Sequence, residues 1–139
     1  MNQLFTILFI FVTSSTIAQQ RLSKSTQQLS NTIAARNVYE SERVGFAASP
    51  SVQYKTMKEL KKKATVAELI FLVLNHKNSV VKVYAWEALQ SNPRVMAKDK
   101  KTLSGLESRL LQDTTQVSTL FGCIGGKKQV KDLVAKNSD

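Results

Sequence analysis

The chain has one cysteine, Cys123, and one histidine, His76, in 139 residues. A single cysteine excludes an intramolecular disulfide, so the fold must rest on its own core. With one imidazole, any Ser-His-Asp or Cys-His arrangement would have to use His76, and a metal site could draw on only one histidine. Acidic residues are also scarce, ten Asp and Glu against twenty Lys and Arg, for a net charge of +10. The carboxylates are scattered, and Glu59, Glu68 and Glu87 fall on amphipathic helical patterns with lysines nearby, so no acid/base pair stands out. Long apolar runs are missing too. The longest, Leu4 to Val12, is nine residues, about half of what a membrane-spanning helix needs.

That short run lies in an N-terminal stretch of eighteen residues without a charged side chain, and Thr-Ser-Ser-Thr-Ile-Ala follows it. This is the layout of a secretory signal peptide at residues 1–18, with Thr16 and Ala18 as the small residues before the cut and Gln19 as the new N-terminus. The n-region, Met-Asn-Gln, departs from that layout in having no basic side chain. The expected address is exported, periplasmic or secreted, with no permanent membrane span once the signal is removed. About 120 residues then remain, a single-domain length. The mature chain keeps the whole charge of +10, which favours acidic partners. Export ranks acidic glycan, anionic lipid or an acidic envelope protein above nucleic acid.

Residues 19–49 form a polar N-terminal segment in which Leu22, Leu29, Ile33 and Ala34 keep helical spacing, predicting a helix near 24–40. Val44-Gly-Phe-Ala-Ala-Ser-Pro50 reads as a packed connector, with Ser49 and Pro50 opening the next helix. Residues 50–139 read as a helical domain on which 24–49 packs. In 51–63, Tyr54, Met57 and Leu60 make an apolar stripe while Lys55, Lys58, Lys61, Lys62 and Lys63 form a basic cluster. Thr65 and Glu68 form a capping box, so a new helix starts at Val66. It is apolar on both sides and therefore covered on both. Asn75-His-Lys-Asn78 is a polar turn, and Val80, Val81, Tyr84, Ala85, Ala88 and Leu89 carry a second helix to Ser91-Asn-Pro93.

The order of apolar helix, polar turn, Val81-Lys82, Ala85 and Ala88-Leu89 over Thr65 to Leu89 resembles one HEAT-like helical repeat. Its departure is His76, where Asp is frequent in that family. Sliding by 37 residues places Leu69, Val73 and Leu74 on Leu106, Leu110 and Leu111, Val80 on Val117 and Tyr84 on Phe121, a faint second copy. At the same offset Ala85 meets Gly122 and Ala88 meets Gly125, which weakens the second helix of that copy. Thr114 to Ile124 fits a strand or extended arm about as well as a helix. Gly125-Gly126 would end either, and residues 127–136 could form a short terminal helix. A looser similarity, carried by Val44-Gly-Phe-Ala, Val-Lys-Val-Tyr-Ala, Phe121-Gly-Cys-Ile and Ile17-Ala-Gln-Gln, is to small exported proteins of the Bacteroidetes type. It implies a fold and an address but no activity.

The fold class expected from these readings is all-α, a short HEAT-like stack of antiparallel helices with an extended Gly-interrupted segment near the C-terminus as the open alternative. No catalytic, cofactor-binding or metal-ligating set is expected. His76 reads as a surface or helix-capping residue and Cys123, between Phe121 and Ile124, as a buried packing residue. Gly122-Cys-Ile-Gly-Gly-Lys-Lys128 resembles a phosphate loop but fails at Phe121 and Lys128, so it reads as a tight turn. The interaction candidates are Lys55, Lys58, Lys61, Lys62 and Lys63, with Trp86 as either core or an exposed anchor. The expected function is a non-enzymatic exported helical-repeat module with a protein-binding or scaffold role in the cell envelope. The alternative is a basic surface that binds acidic glycan or anionic lipid.

Overall fold

Six helices and a four-stranded sheet make up the computed structural model, which describes residues 22–136. The expected signal peptide, residues 1–18, lies outside the described residues. Ser23 caps α1 (Lys24–Arg36), its hydroxyl accepting from the Thr26 N–H. The helix stops at Asn37, whose left-handed φ of 51° turns the chain while its N–H donates to the Ile33 carbonyl. Asn tolerates that conformation. The chain then becomes extended as β1 (Tyr39–Val44), turns through residues 45–48 and returns as the two-residue β2 (Ser49–Pro50).

Ser51 caps α2 (Val52–Lys63), and the Thr65–Glu68 capping box opens α3 (Val66–Asn75). The Asn78 side chain accepts from the Val81 N–H to start α4 (Ser79–Gln90). Val80, Val81, Val83, Tyr84, Ala85, Trp86, Ala88 and Leu89 are all buried on α4. A helix apolar on nearly every side has to be surrounded. Helices α1, α2, α3 and, near the C-terminus, α6 (Val130–Lys136) pack on it, and small Ala85 and Ala88 allow close approach. A short 3-10 turn, Ala97–Asp99, leads into α5 (Lys100–Leu110), whose Leu106 and Leu110 are buried.

The sheet overturns the all-α expectation and the HEAT-like resemblance with it. Val117 and Phe121, aligned above with a second helix, lie on β3 (Gln116–Gly122), which turns at Cys123 into β4 (Ile124–Gln129). Strand order is β2-β1-β3-β4, with β1 and β3 parallel and both hairpins antiparallel. Alternation explains why 116–122 is a strand: Val117 and Thr119 are buried while Gln116 and Ser118 are exposed, a period of two. Gly125 and Gly126 do not end the element. They sit within β4, paired with Leu120 and Thr119. The connector at 44–50 is likewise not packed, because it forms an exposed hairpin turn, and Ser49-Pro50 pairs with β1 instead of opening α2, whose cap is Ser51.

A buried polar cluster joins the sheet to the helices. The Tyr84 hydroxyl accepts from the Glu40 N–H at 2.8 Å and donates to the Glu40 carbonyl at 3.1 Å. The Glu40 carboxylate, 1% exposed, accepts from Arg36 and from the Ser51 hydroxyl. Gln53 donates to the carbonyls of Ile33 and Val38, closing the α1–β1 corner. Each of these buried groups therefore has partners, as burial of polar groups requires.

Candidate functional site

The lysine cluster on α2 exists because the helix has only one face to bury. Gln53, Met57 and Leu60 turn inward, leaving Lys55, Lys58, Lys62 and Lys63 exposed and Lys61 half-buried. The five are not equivalent. Lys63 pairs with Glu59 at 3.5 Å, one turn away, and Lys58 pairs with Glu42 of β1 at 3.2 Å while lying 4.7 Å from the Tyr54 ring centroid. Lys55 and Lys62 have no acidic partner among the described residues.

Beside this row runs a trough in two parts that share Lys58 and Lys61. One part, of about 440 Å³, is walled by Tyr54, Met57, Glu87, Gln90 and Ser91. The other, of about 450 Å³, is walled by Lys62, Asn92, Pro93 and Arg94. Arg94 was not singled out from sequence, and its role is largely architectural. Its guanidinium donates to the carbonyls of Lys61 and Ala64, which close the C-terminus of α2, and to Asn92 Oδ1. A cation there also complements the negative end of the helix dipole. Asn92 Oδ1 accepts from Arg94 twice, yet the Asn92 Nδ2 is buried with no hydrogen-bond partner. That amide nitrogen is closed to solvent, so what the trough presents to an anionic oxygen is the ammonium groups of Lys58, Lys61 and Lys62.

Glu87 lies on the opposite wall. Burial raises its pKa, and the Tyr39 hydroxyl donated to its carboxylate together with nearby Lys61 partly offsets that rise. Burial likewise raises the Tyr84 phenol and keeps it neutral. The remaining candidates lie elsewhere. Trp86 is 2% exposed, in the core, and is not part of the trough. His76 closes α3, its Nδ1 accepting from the Asn78 N–H, and burial with Lys82 nearby lowers its pKa. Cys123 is exposed at the β3–β4 turn, not buried as the sequence suggested, because a hairpin tip has no layer above it. Among the described residues no group of His, Cys, Asp and Glu could hold a metal ion, and no helix is long and apolar enough to cross a membrane.

The trough brings together Lys58, Lys61 and Lys62 from the lysine cluster, leaves Lys55 and Lys63 on the outer face, and adds Tyr54, Asn92 and Arg94. Arg94 follows Pro93 in the loop that ends α4, and nothing in local spacing announces that it reaches back to α2. Comparison with protein-family models, curated proteins and solved structures finds no match. Neither the helical-repeat resemblance nor the likeness to small exported Bacteroidetes-type proteins is therefore sustained.

Proposed function

We propose that the protein is a non-enzymatic binding module of the cell envelope that holds an acidic segment of a protein partner along α2 and the trough beside it. The convergence of Lys58, Lys61 and Lys62 on one trough carries the reading. Lysine supplies point charges with freely rotating donors, which suit carboxylates presented in varied geometry. Arg94 is committed to the α2 carbonyls, so the site lacks a free bidentate fork for a fixed planar anion. Tyr54 and Pro93 add apolar wall on which a peptide chain can rest. Export, inferred from residues 1–18, places such a partner in the envelope and ranks nucleic acid low.

The test is crosslinking affinity purification from the envelope fraction of the producing cell, comparing wild type with Lys55→Glu/Lys62→Glu. Both side chains are exposed and free of acidic partners, so the double variant should fold normally. Reversing two rim charges should lower recovery of a defined protein about tenfold, and equal recovery by wild type and variant would reject this face as the site. The alternative, acidic glycan or anionic lipid on the same lysines, predicts diffuse recovery that vanishes in high salt.

A further inference from the structure

The two hairpin turns lie side by side at one end of the sheet, because the strands that lead into them, β1 and β3, are parallel. Val44 is in register with Gly122, the Gly45 N–H donates to the Gly122 carbonyl at 2.9 Å, and the Gly122 N–H donates to the Ser41 hydroxyl at 3.1 Å. Gly45 and Gly122 have φ of 76° and 57°, and Ala48 holds a positive φ of 47° in the first turn. A non-glycine residue in that region is uncommon. This paired tip carries the two most exposed large apolar side chains among the described residues, Phe46 at 99% and Ile124 at 77%.

Cations collect immediately behind it. Phe121 is paired with Ile124, and the ammonium groups of Lys128 and Lys136 lie 5.3 Å and 4.8 Å from the Phe121 ring centroid. Arg43 donates to the Ala48 carbonyl, which places a third cation in the first turn. Glu42, the acidic neighbour on β1, is paired with Lys58.

We propose that this twin-turn tip docks on an anionic bilayer surface, with Phe46 and Ile124 entering the headgroup–acyl boundary and Arg43, Lys128 and Lys136 meeting acidic headgroups. The observations favour a bilayer over a protein pocket on grounds of size and charge. Two projecting side chains on tight turns present far less than the roughly 800 Å² per partner of a stable protein interface. Apolar anchors backed by basic residues are, in contrast, the requirements of reversible attachment to acidic lipid. The residues that would meet the bilayer are distinct from those of the α2 trough, and the Glu42–Lys58 pair links the two surfaces.

The measurement is co-sedimentation with vesicles of phosphatidylcholine containing about one-third phosphatidylglycerol, using wild type and variants purified in the same form from the producing cell so that any N-terminal contribution cancels. Phe46→Ser and Ile124→Ser should each lower the partition coefficient about tenfold. Lys128→Gln/Lys136→Gln should lower it on the order of tenfold and flatten its salt dependence. Lys55→Gln/Lys62→Gln should leave it unchanged, so failure here is distinguishable from failure of the trough. An environment-sensitive fluorophore on Cys123 should shift to the blue on acidic vesicles and not on pure phosphatidylcholine. Wild-type partitioning by Phe46→Ser/Ile124→Ser would overturn the proposal. So would loss of a protein partner by that variant with vesicle binding intact, which would assign the tip to a protein pocket.

Discussion

Glu68 is a carboxylate shared by two helix starts. Its oxygens accept from the Ser23 N–H at 2.6 Å, ahead of α1, and from the Thr65 N–H at 2.8 Å and Thr65 hydroxyl, ahead of α3. Burial by itself would raise its pKa, but these bonds outweigh burial and hold it at about 2, against an ordinary 4.5. A carboxyl depressed by folding adds stability that is present above its unfolded pKa and lost as pH falls toward the folded one. The loss should therefore run from about pH 4.5 down to 2, with a magnitude of about 2–3 kcal/mol. Urea unfolding at pH 6 and pH 3 should show Glu68→Gln less stable than wild type at pH 6, with the gap clearly narrower at pH 3. A constant gap would reject the account. The capping role of Thr65 and Glu68 is legible in the sequence, since a capping box is four residues long. The Ser23 contact spans 45 residues and has no local signature.

At the scale of elements, the starts of α3 and α4 were legible because a cap is local. Thr65 and the α4 break at Ser91 to Pro93 mark boundaries that any neighbourhood would impose, whereas the cap of α2 is Ser51, two residues beyond the Ser49 that local spacing offered. Strand β1 was not legible. Tyr-Glu-Ser-Glu-Arg-Val has three charges in six residues, and Glu40 and Tyr39 are both buried, so the period-two pattern is blurred at the start of the strand. Its identity comes from pairing with β3, about 80 residues away. The end of α2 also has a remote cause. Arg94→Met should remove the guanidinium bonds to the Lys61 and Ala64 carbonyls and cost about 1–2 kcal/mol, mostly through fraying of the last turn. Native-state hydrogen exchange should then show faster exchange at Lys63 and Ala64, and unchanged rates there would show that water replaces Arg94 without loss.

Across the whole molecule, α2 and α6 pack on the sheet and side chains of α4 bond to β1. Tyr84 sits at the middle of that junction, its ring stacked on Tyr39 at 4.8 Å between centroids and its hydroxyl bonded to both backbone groups of Glu40. Phenylalanine at this position would keep the stack and leave a buried N–H and carbonyl without the hydroxyl. Tyr84→Phe should therefore cost about 2 kcal/mol, read as a lower urea midpoint. A cost below about 0.5 kcal/mol would mean the Glu40 backbone is satisfied without it. Two groups of basic side chains, on the α2 face and behind the hairpin tip, lie away from this junction.

The sequence by itself determined where α3 and α4 begin and the basic balance. Each of these depends on residues within a turn or two of one another, or on composition. Only the tertiary structure decided that 39–44 and 116–122 pair in a sheet, that Trp86 is core, that Cys123 and Phe46 stand at an exposed tip, and that Arg94 reaches the end of α2. Strand pairing and exposure are set by segments far apart in the chain, and local spacing carries no record of which distant segment will arrive.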